Sequence, residues 1–233
     1  GWEIYMAFLV LTVACVVMVH LLGGGRFADE TNTRVLLDHP GPALAHATML
    51  QYRPVNSDVL PTFVIFHALF APLLWLLLRA PNLALVASFV LYGLVQLFGW
   101  NLAQWPRNEW YFNPFAWQLL VVLGAWWEIG DRSRLRRWLT SPAVAAMAML
   151  YLSFALLIAL SWSFEPFQGV VPQFLARLIY PIDKSDLDPL RLLHFLAIAV
   201  LVMKFVARDW WGLTISVLRA AVRCGENSLE VYC

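Results

Sequence analysis

The chain has 233 residues, of which 61% are hydrophobic and only 13% charged, with a formal net charge of +1. The charged share is roughly half that of an average soluble domain, and a chain of this length cannot bury so many apolar side chains in one interior. A soluble globular domain is therefore excluded. No basic run with interleaved aromatics offers a footing for nucleic acid, and Cys15, Cys224 and Cys233 show neither metal spacing nor a disulfide framework.

A transmembrane helix needs about 20 predominantly apolar residues. Taken in chain order, residues 4–22, 60–78, 83–101, 115–127, 143–162 and 190–206 meet or approach that length. Residues 115–127 are short and reach a spanning length only if Trp110 to Asn113 continue the helix. A seventh span is expected to begin near Trp211 and to be cut off by the chain end. The fold class expected is all-α: a polytopic transmembrane bundle of six full spans plus a truncated seventh, forming a single domain over residues 1–233. Gly at position 1 and Cys233 partway through SLEVYC, with no polar tail, read as an internal fragment of a larger polytopic protein. Between Arg79 and Asn82, Pro81 is expected to end one helix and start the next.

Orientation follows from basic residues close to the spans. Arg132, Arg134, Arg136 and Arg137 crowd one short loop, which is expected to face the cytoplasm. Counting spans outward then exports residues 23–59, the loop around 105–114 and the loop 165–189. Gly23, Gly24 and Gly25 stop a helix and lack the Lys and Ser/Thr of a phosphate loop.

Four polar strings interrupt this apolar chain: LQYRPVNSDVLP from Leu50, WYFNPFAWQ from Trp110, PIDKSDLDPLRLLHFLA from Pro181 and CGENSLEVYC from Cys224. The first three fall on the exported side. Ordinary loops would be scattered over both faces, so their convergence points to a shared site. Within them, Asp188 and Pro189 start a helix and set Arg191 and His194 three apart, on one face. That arrangement suits either a capped helix with a snorkelling arginine or a histidine proton acceptor beside a cation. Asp58 could cap the helix after it, which leaves Arg53 and Asn56 unexplained. Most of the 12 tryptophans fit an interfacial belt. Asn113 and Gln118 do not, because buried amides must find partners. With Trp110 and Tyr111 they could instead hold a sugar ring. His20, His39, His46 and His67 show no ligand spacing and are read as bonded to neighbours. No acidic or basic residue sits mid-span, where each costs about 2.5–3.5 kcal/mol, which disfavours an ion-coupled transporter.

In order and spacing, RPVNSDVLP, WYFNPFAWQ, DKSDLDPLRLLHFLA and GENSLEVYC resemble signature segments of the OpgC family, within the acyltransferase-3-like membrane enzymes. The likeness runs from Leu50 to Cys233 and is weaker before Met49. It implies a multi-pass protein of the Gram-negative inner membrane that attaches succinyl groups to osmoregulated periplasmic glucans. It also implies two earlier spans, carrying an Asp-His pair, that this chain lacks. Glu226 stands where the family often has Gln, and Tyr232 where Phe is frequent.

The function expected is acyl transfer from a thioester donor, succinyl-CoA or a similar acyl-CoA, to glucan hydroxyls, with no resident cofactor or metal. His194 and Asp58 are the candidates for handling protons. Arg53, Lys184 and Arg191 are candidates for gripping a carboxylate or a donor phosphate, and Trp110, Tyr111, Asn113 and Gln118 for holding glucose units. Asn56, Asp183, Asp188 and Glu230 complete the candidate substrate-binding set. A transporter of a glycan or lipid-linked sugar is the rival from another class, and it predicts flux without covalent change. A structural subunit predicts neither.

Overall fold

The computed structural model describes residues 1–21, 32–54, 57–106, 108–130, 132–163, 179, 182–206 and 215–226. Among them the chain is helical apart from one two-stranded hairpin. It divides into two compact units, the first over Gly1–Ile129 and the second within Gly130–Asn227.

The first unit opens with α1 (Trp2–Leu21), a uniformly apolar helix of spanning length. Val10, Val13, Val17 and Leu21 on it are exposed. Such a surface would be untenable in water, and it is ordinary for a helix that faces lipid. Phe8, fully buried, packs with Ile4 and with Leu60 of α4 (Val59–Ala68). Between these helices lie two short ones, α2 (Arg34–Asp38) and α3 (Pro40–Thr48), inside the long segment 23–59 expected on the exported side.

The stretch 60–78, expected as one span, is divided into α4 and α5 (Phe70–Arg79), bent by 55° at Leu69. Pro72 supplies the cause. It has no N–H for the carbonyl of Ala68, and its ring crowds that carbonyl, so the first helix ends there. Only Ala80 then separates α5 from α6 (Pro81–Phe98), with Pro81 at the first helical position as expected. Gly99, at φ 64°, closes α6 in the left-handed conformation that glycine adopts without penalty.

The hairpin β1 (Ala103–Gln104) and β2 (Asn108–Glu109) follows, with Gln104 opposite Asn108. It leads to α7 (Pro114–Ile129). Residues Trp110 to Asn113 do not extend α7, contrary to the condition for a full span, because Asn113 caps it. Phe115 donates its amide N–H to Asn113 Oδ1 at 3.0 Å. The resulting 16-residue helix packs on α6 through Ala84, Ser88, Tyr92 and Val95, buried at helical spacing, and through Ala116, Leu119 and Val122 of its own. Small residues let the two backbones approach closely. Gln118 staples the pair: its Oε1 accepts from the Ser88 hydroxyl at 2.7 Å and its Nε2 donates to the Ser88 carbonyl at 3.1 Å.

In the second unit α8 (Ser133–Leu139) carries the arginine-rich stretch, and α9 (Pro142–Ser163) is of spanning length and apolarity. α9 packs on α10 (Pro189–Phe205) around Ala148, Ala197 and Val200. Lys204 donates Nζ to the carbonyl of Thr140 at 2.9 Å, satisfying an acceptor at the end of α8. α11 (Ser216–Glu226) is a short amphipathic helix with Arg219 and Arg223, both exposed, on it. Trp211, where the seventh span was expected to begin, lies outside the described residues. Three described helices have the length and apolarity to cross a membrane, or four if α4 and α5 form one broken span.

Candidate functional site

The polar centre of the first unit is built where α3 ends. Leu50 takes φ 61°, Leu50 N–H donates to the Ala47 carbonyl at 3.0 Å, and Gln51 N–H donates to the His46 carbonyl at 2.8 Å. These are the two bonds of a Schellman closure. The side chains of the same two residues also meet, with His46 Nδ1 and Gln51 Oε1 2.8 Å apart. The closure reverses the chain and sends Tyr52, Arg53 and Pro54 inward, all buried. Trp105 of the hairpin donates its backbone N–H to the Gln51 carbonyl at 2.8 Å, and its ring lies between those of His46, stacked at 4.7 Å, and Tyr52, edge-on at 6.1 Å. The hairpin is thereby clamped onto the segment that carries Arg53.

Arg53 is 1% exposed, the largest side chain this deeply buried among the described residues. Its Nε donates to Asp58 Oδ1 at 2.5 Å and its Nη2 to Gln104 Oε1 at 3.1 Å. Its guanidinium carbon lies 4.5 Å from the centre of the Trp110 ring, a cation–π contact in a desolvated place. Nη1 is buried and has no hydrogen-bond partner among the described residues. Burial pushes the guanidinium pKa down, and the charge and hydrogen bond of Asp58 push back. Tyr52 donates its hydroxyl to the Asn32 carbonyl at 2.6 Å, and Asn32 Nδ2 donates to the Arg53 carbonyl at 3.0 Å. Burial, with a smaller contribution from Cys15, pushes the Tyr52 phenol up to about 12, so it remains a donor across the ordinary pH range.

The first two polar strings thus do come together. Arg53 and Asp58 from one meet Trp110 from the other, and Thr62 donates to the Phe112 carbonyl at 3.1 Å beside them. Asp58 precedes α4 yet gives that helix no side-chain cap; its carboxylate goes to Arg53 instead. A buried charged donor without an acceptor costs more than the roughly 1–3 kcal/mol of a neutral group. Within this cluster Nη1 is thus the polar atom left without a partner among the described residues, a feature that calls for an explanation.

Other expected residues are held in structural bonds. Asn113 is fully buried; besides capping α7, it donates Nδ2 to the Trp100 carbonyl at 2.6 Å. Gln118 joins α6 to α7. Both amides found the partners that burial demands, and those partners are protein. Trp110 is 3% exposed with Arg53 over its ring, so it offers no open face to a sugar, whereas Tyr111 is 44% exposed and touches Phe112 edge-on at 5.3 Å. Asn56 and Glu230 lie outside the described residues.

The third string stands in the second unit. Asp188 caps α10 as expected, accepting from Leu190 N–H at 2.8 Å. Asp183 closes a turn by accepting from Ser185 N–H at 2.7 Å, and Lys184 is exposed on that turn. Arg191 is half-buried. His194 is exposed, with the Tyr151 ring edge-on at 6.1 Å, rather than sequestered as a buried proton acceptor would be.

Sequence reasoning missed Gln104, Asn32 and Tyr52. Tyr52 had a signal in its place inside the first polar string, next to Arg53, and Gln104 had a weaker one, as a polar residue between apolar neighbours close to the second string. An apolar groove of about 630 Å³ runs along α1, lined by residues such as Leu9, Val13 and Met18, and carries no polar chemistry.

The OpgC protein family matches this chain over residues 1–233. The chain belongs to that family. The match extends through the first 49 residues, where the polar strings had given no purchase. No curated protein and no solved structure matches the chain. Family membership and the apolar spanning helices together make this a membrane protein of OpgC type.

Proposed function

We propose that this OpgC-family chain is part of an inner-membrane O-acyltransferase. It would move a succinyl or similar acyl group from a thioester donor, an acyl-CoA such as succinyl-CoA, to hydroxyls of osmoregulated periplasmic glucans. The observation that carries the proposal, beyond family membership, is the buried Arg53–Asp58 pair with one guanidinium nitrogen unsatisfied. The glucan hydroxyl oxygen attacks the thioester carbonyl carbon while a base takes its proton. The carbonyl oxygen gains charge and is met by fixed donors. The C–S bond then breaks, and the leaving thiolate takes up a proton. Asp58 and His194 are the proton-handling groups assigned here. Arg53 faces the acyl group, and Tyr111, Lys184, Asp183 and Arg191 are offered to glucan or donor.

Acylated glucan made by membranes that carry the protein tests this. Arg53→Lys and Asp58→Asn should each lower acylation at least tenfold at equal membrane abundance, because a lysine ammonium cannot reproduce the guanidinium's three directed contacts. Parent-level acylation in both variants would sink the proposal. His194→Ala should abolish acylation, while His46→Ala, whose ring is already bonded to Gln51, should change it little.

The expected topology of six spans and a seventh beginning near Trp211 is kept as part of this proposal, and the arginines crowded on α8 support a cytoplasmic position for it. A single cysteine at Ser185 should then react with an impermeant thiol reagent from the periplasm and one at Ser133 should not. The opposite labelling pattern would invert the topology.

A further inference from the structure

The short helix α8 carries Arg134, Arg136 and Arg137 and no acidic residue. All three arginines are exposed. Successive residues turn by about 100° around a helix, so Leu135 and Leu139, four apart, share one side of it. Leu139 packs on the core that α9 and α10 form around Ala148, Ala197 and Val200, and that contact fixes the rotation of α8. Arg137 then lies opposite the leucine side, with Arg134 and Arg136 to either side of it. Trp138 stands on the border between the two sides and is 63% exposed.

The level of α8 is fixed as well. Only Thr140 and Ser141 separate it from α9, a helix of spanning length. Lys204, in the last turn of α10, donates to the Thr140 carbonyl, so α10 ends where α9 begins. Phe205 beside it is exposed. Two helix ends, two open aromatic rings and a row of cations at one level mark the boundary between hydrocarbon and headgroups. A solvated charged face is the ordinary reading of three surface arginines, but it leaves the Trp138 ring in water at the mouth of a span. A soluble acidic partner would meet the arginines and leave the same ring uncovered. The headgroup layer of a bilayer takes both, because its phosphates are negative and its inner edge is apolar.

We propose that α8 is a docking surface for anionic phospholipid. The helix lies in the plane of the membrane, held to the α9–α10 pair by Leu139. Trp138 dips to the hydrocarbon edge, and Arg134, Arg136 and Arg137 meet lipid phosphates. The surface is separate from the Arg53 cluster, and it stands whether or not that cluster takes part in acyl transfer.

Native mass spectrometry of the detergent-solubilised protein, titrated with phosphatidylglycerol or phosphatidylcholine, measures this. The parent chain should bind phosphatidylglycerol more tightly than phosphatidylcholine. A basic residue at a lipid surface contributes about fivefold in affinity, so Arg137→Gln should weaken phosphatidylglycerol by about that factor and Arg134→Gln/Arg136→Gln/Arg137→Gln by more than about tenfold. Phosphatidylcholine should bind both variants as it binds the parent. Lysine at all three positions should keep the phosphatidylglycerol affinity within about twofold, since lysine serves a phosphate as a point charge. Arg79→Gln, an arginine of the first unit that lies over the Trp75 ring, is the control and should leave the affinity unchanged. Equal affinity of the parent for the two lipids, an unmoved affinity in the triple glutamine variant, or as large a loss in Arg79→Gln each overturns the proposal. Displacement of phosphatidylglycerol by inorganic phosphate also overturns it, by showing a site for free anions. Should the triple glutamine variant fail to accumulate, Arg137→Gln decides by itself.

Discussion

Asp58→Leu is expected to destabilise the first unit by roughly 3–5 kcal/mol, the cost of leaving a buried charge uncompensated, and Arg53→Leu by clearly less. The asymmetry follows from exposure: the side chain of Arg53 is 0% accessible and that of Asp58 19%. With Asp58 gone, the guanidinium keeps its charge, since arginine does not deprotonate in proteins, and only Gln104 and the Trp110 face remain to it. With Arg53 gone, the carboxylate can turn toward solvent or take up a proton. The double variant Arg53→Leu/Asp58→Leu should recover much of the loss of Asp58→Leu, because a buried pair replaced by apolar groups is often close to neutral. Thermal unfolding of the protein in detergent, read by limited proteolysis within Gly1–Ile129, measures the series. If Arg53→Leu is the more damaging single change, or the double variant is worse than both, the pair is not the buried charge compensation described here.

Much of the helical layout could be read from the sequence because apolar length is a local property. Proline positions are local too: Pro81 opened α6 where expected, and Pro72, which bends the 60–78 stretch, was equally visible but lost weight inside a long apolar run. α7 was harder. Whether Trp110 to Asn113 continued the helix depended on where the Asn113 side chain went, and that was settled by the Phe115 amide and the Trp100 carbonyl. The site shows the same division. Arg53, Asp58 and Trp110 stood out as polar or aromatic residues in unusual strings. Their meeting required the Schellman turn after α3 and a hairpin register that no periodicity announces. Gln104 escaped notice because its role exists only through that register. Asn113 and Gln118 were rightly singled out as amides in need of partners, and composition could not say whether a partner would be a sugar hydroxyl or another turn of backbone.

Asn113 allows those two roles to be separated by experiment. Asn113→Ala removes the acceptor that caps α7, a change worth about 0.5–2 kcal/mol. It also strands the Trp100 carbonyl, for about 1–3 kcal/mol more, so a total loss near 2–4 kcal/mol is expected. Asn113→Asp keeps the cap acceptor for the Phe115 amide but lacks the donor, and it sets a carboxylate against the Trp100 carbonyl. Hydrogen exchange should therefore show the Phe115 amide deprotected in Asn113→Ala and still protected in Asn113→Asp. The segment around Trp100 should loosen in both. If the side chain is purely structural, glucan acylation should fall only in proportion to the loss of folded protein. Unchanged stability in Asn113→Ala accompanied by a specific loss of acylation would contradict the capping role and return Asn113 to the glucan-holding set, with its amide reaching a sugar hydroxyl rather than the backbone.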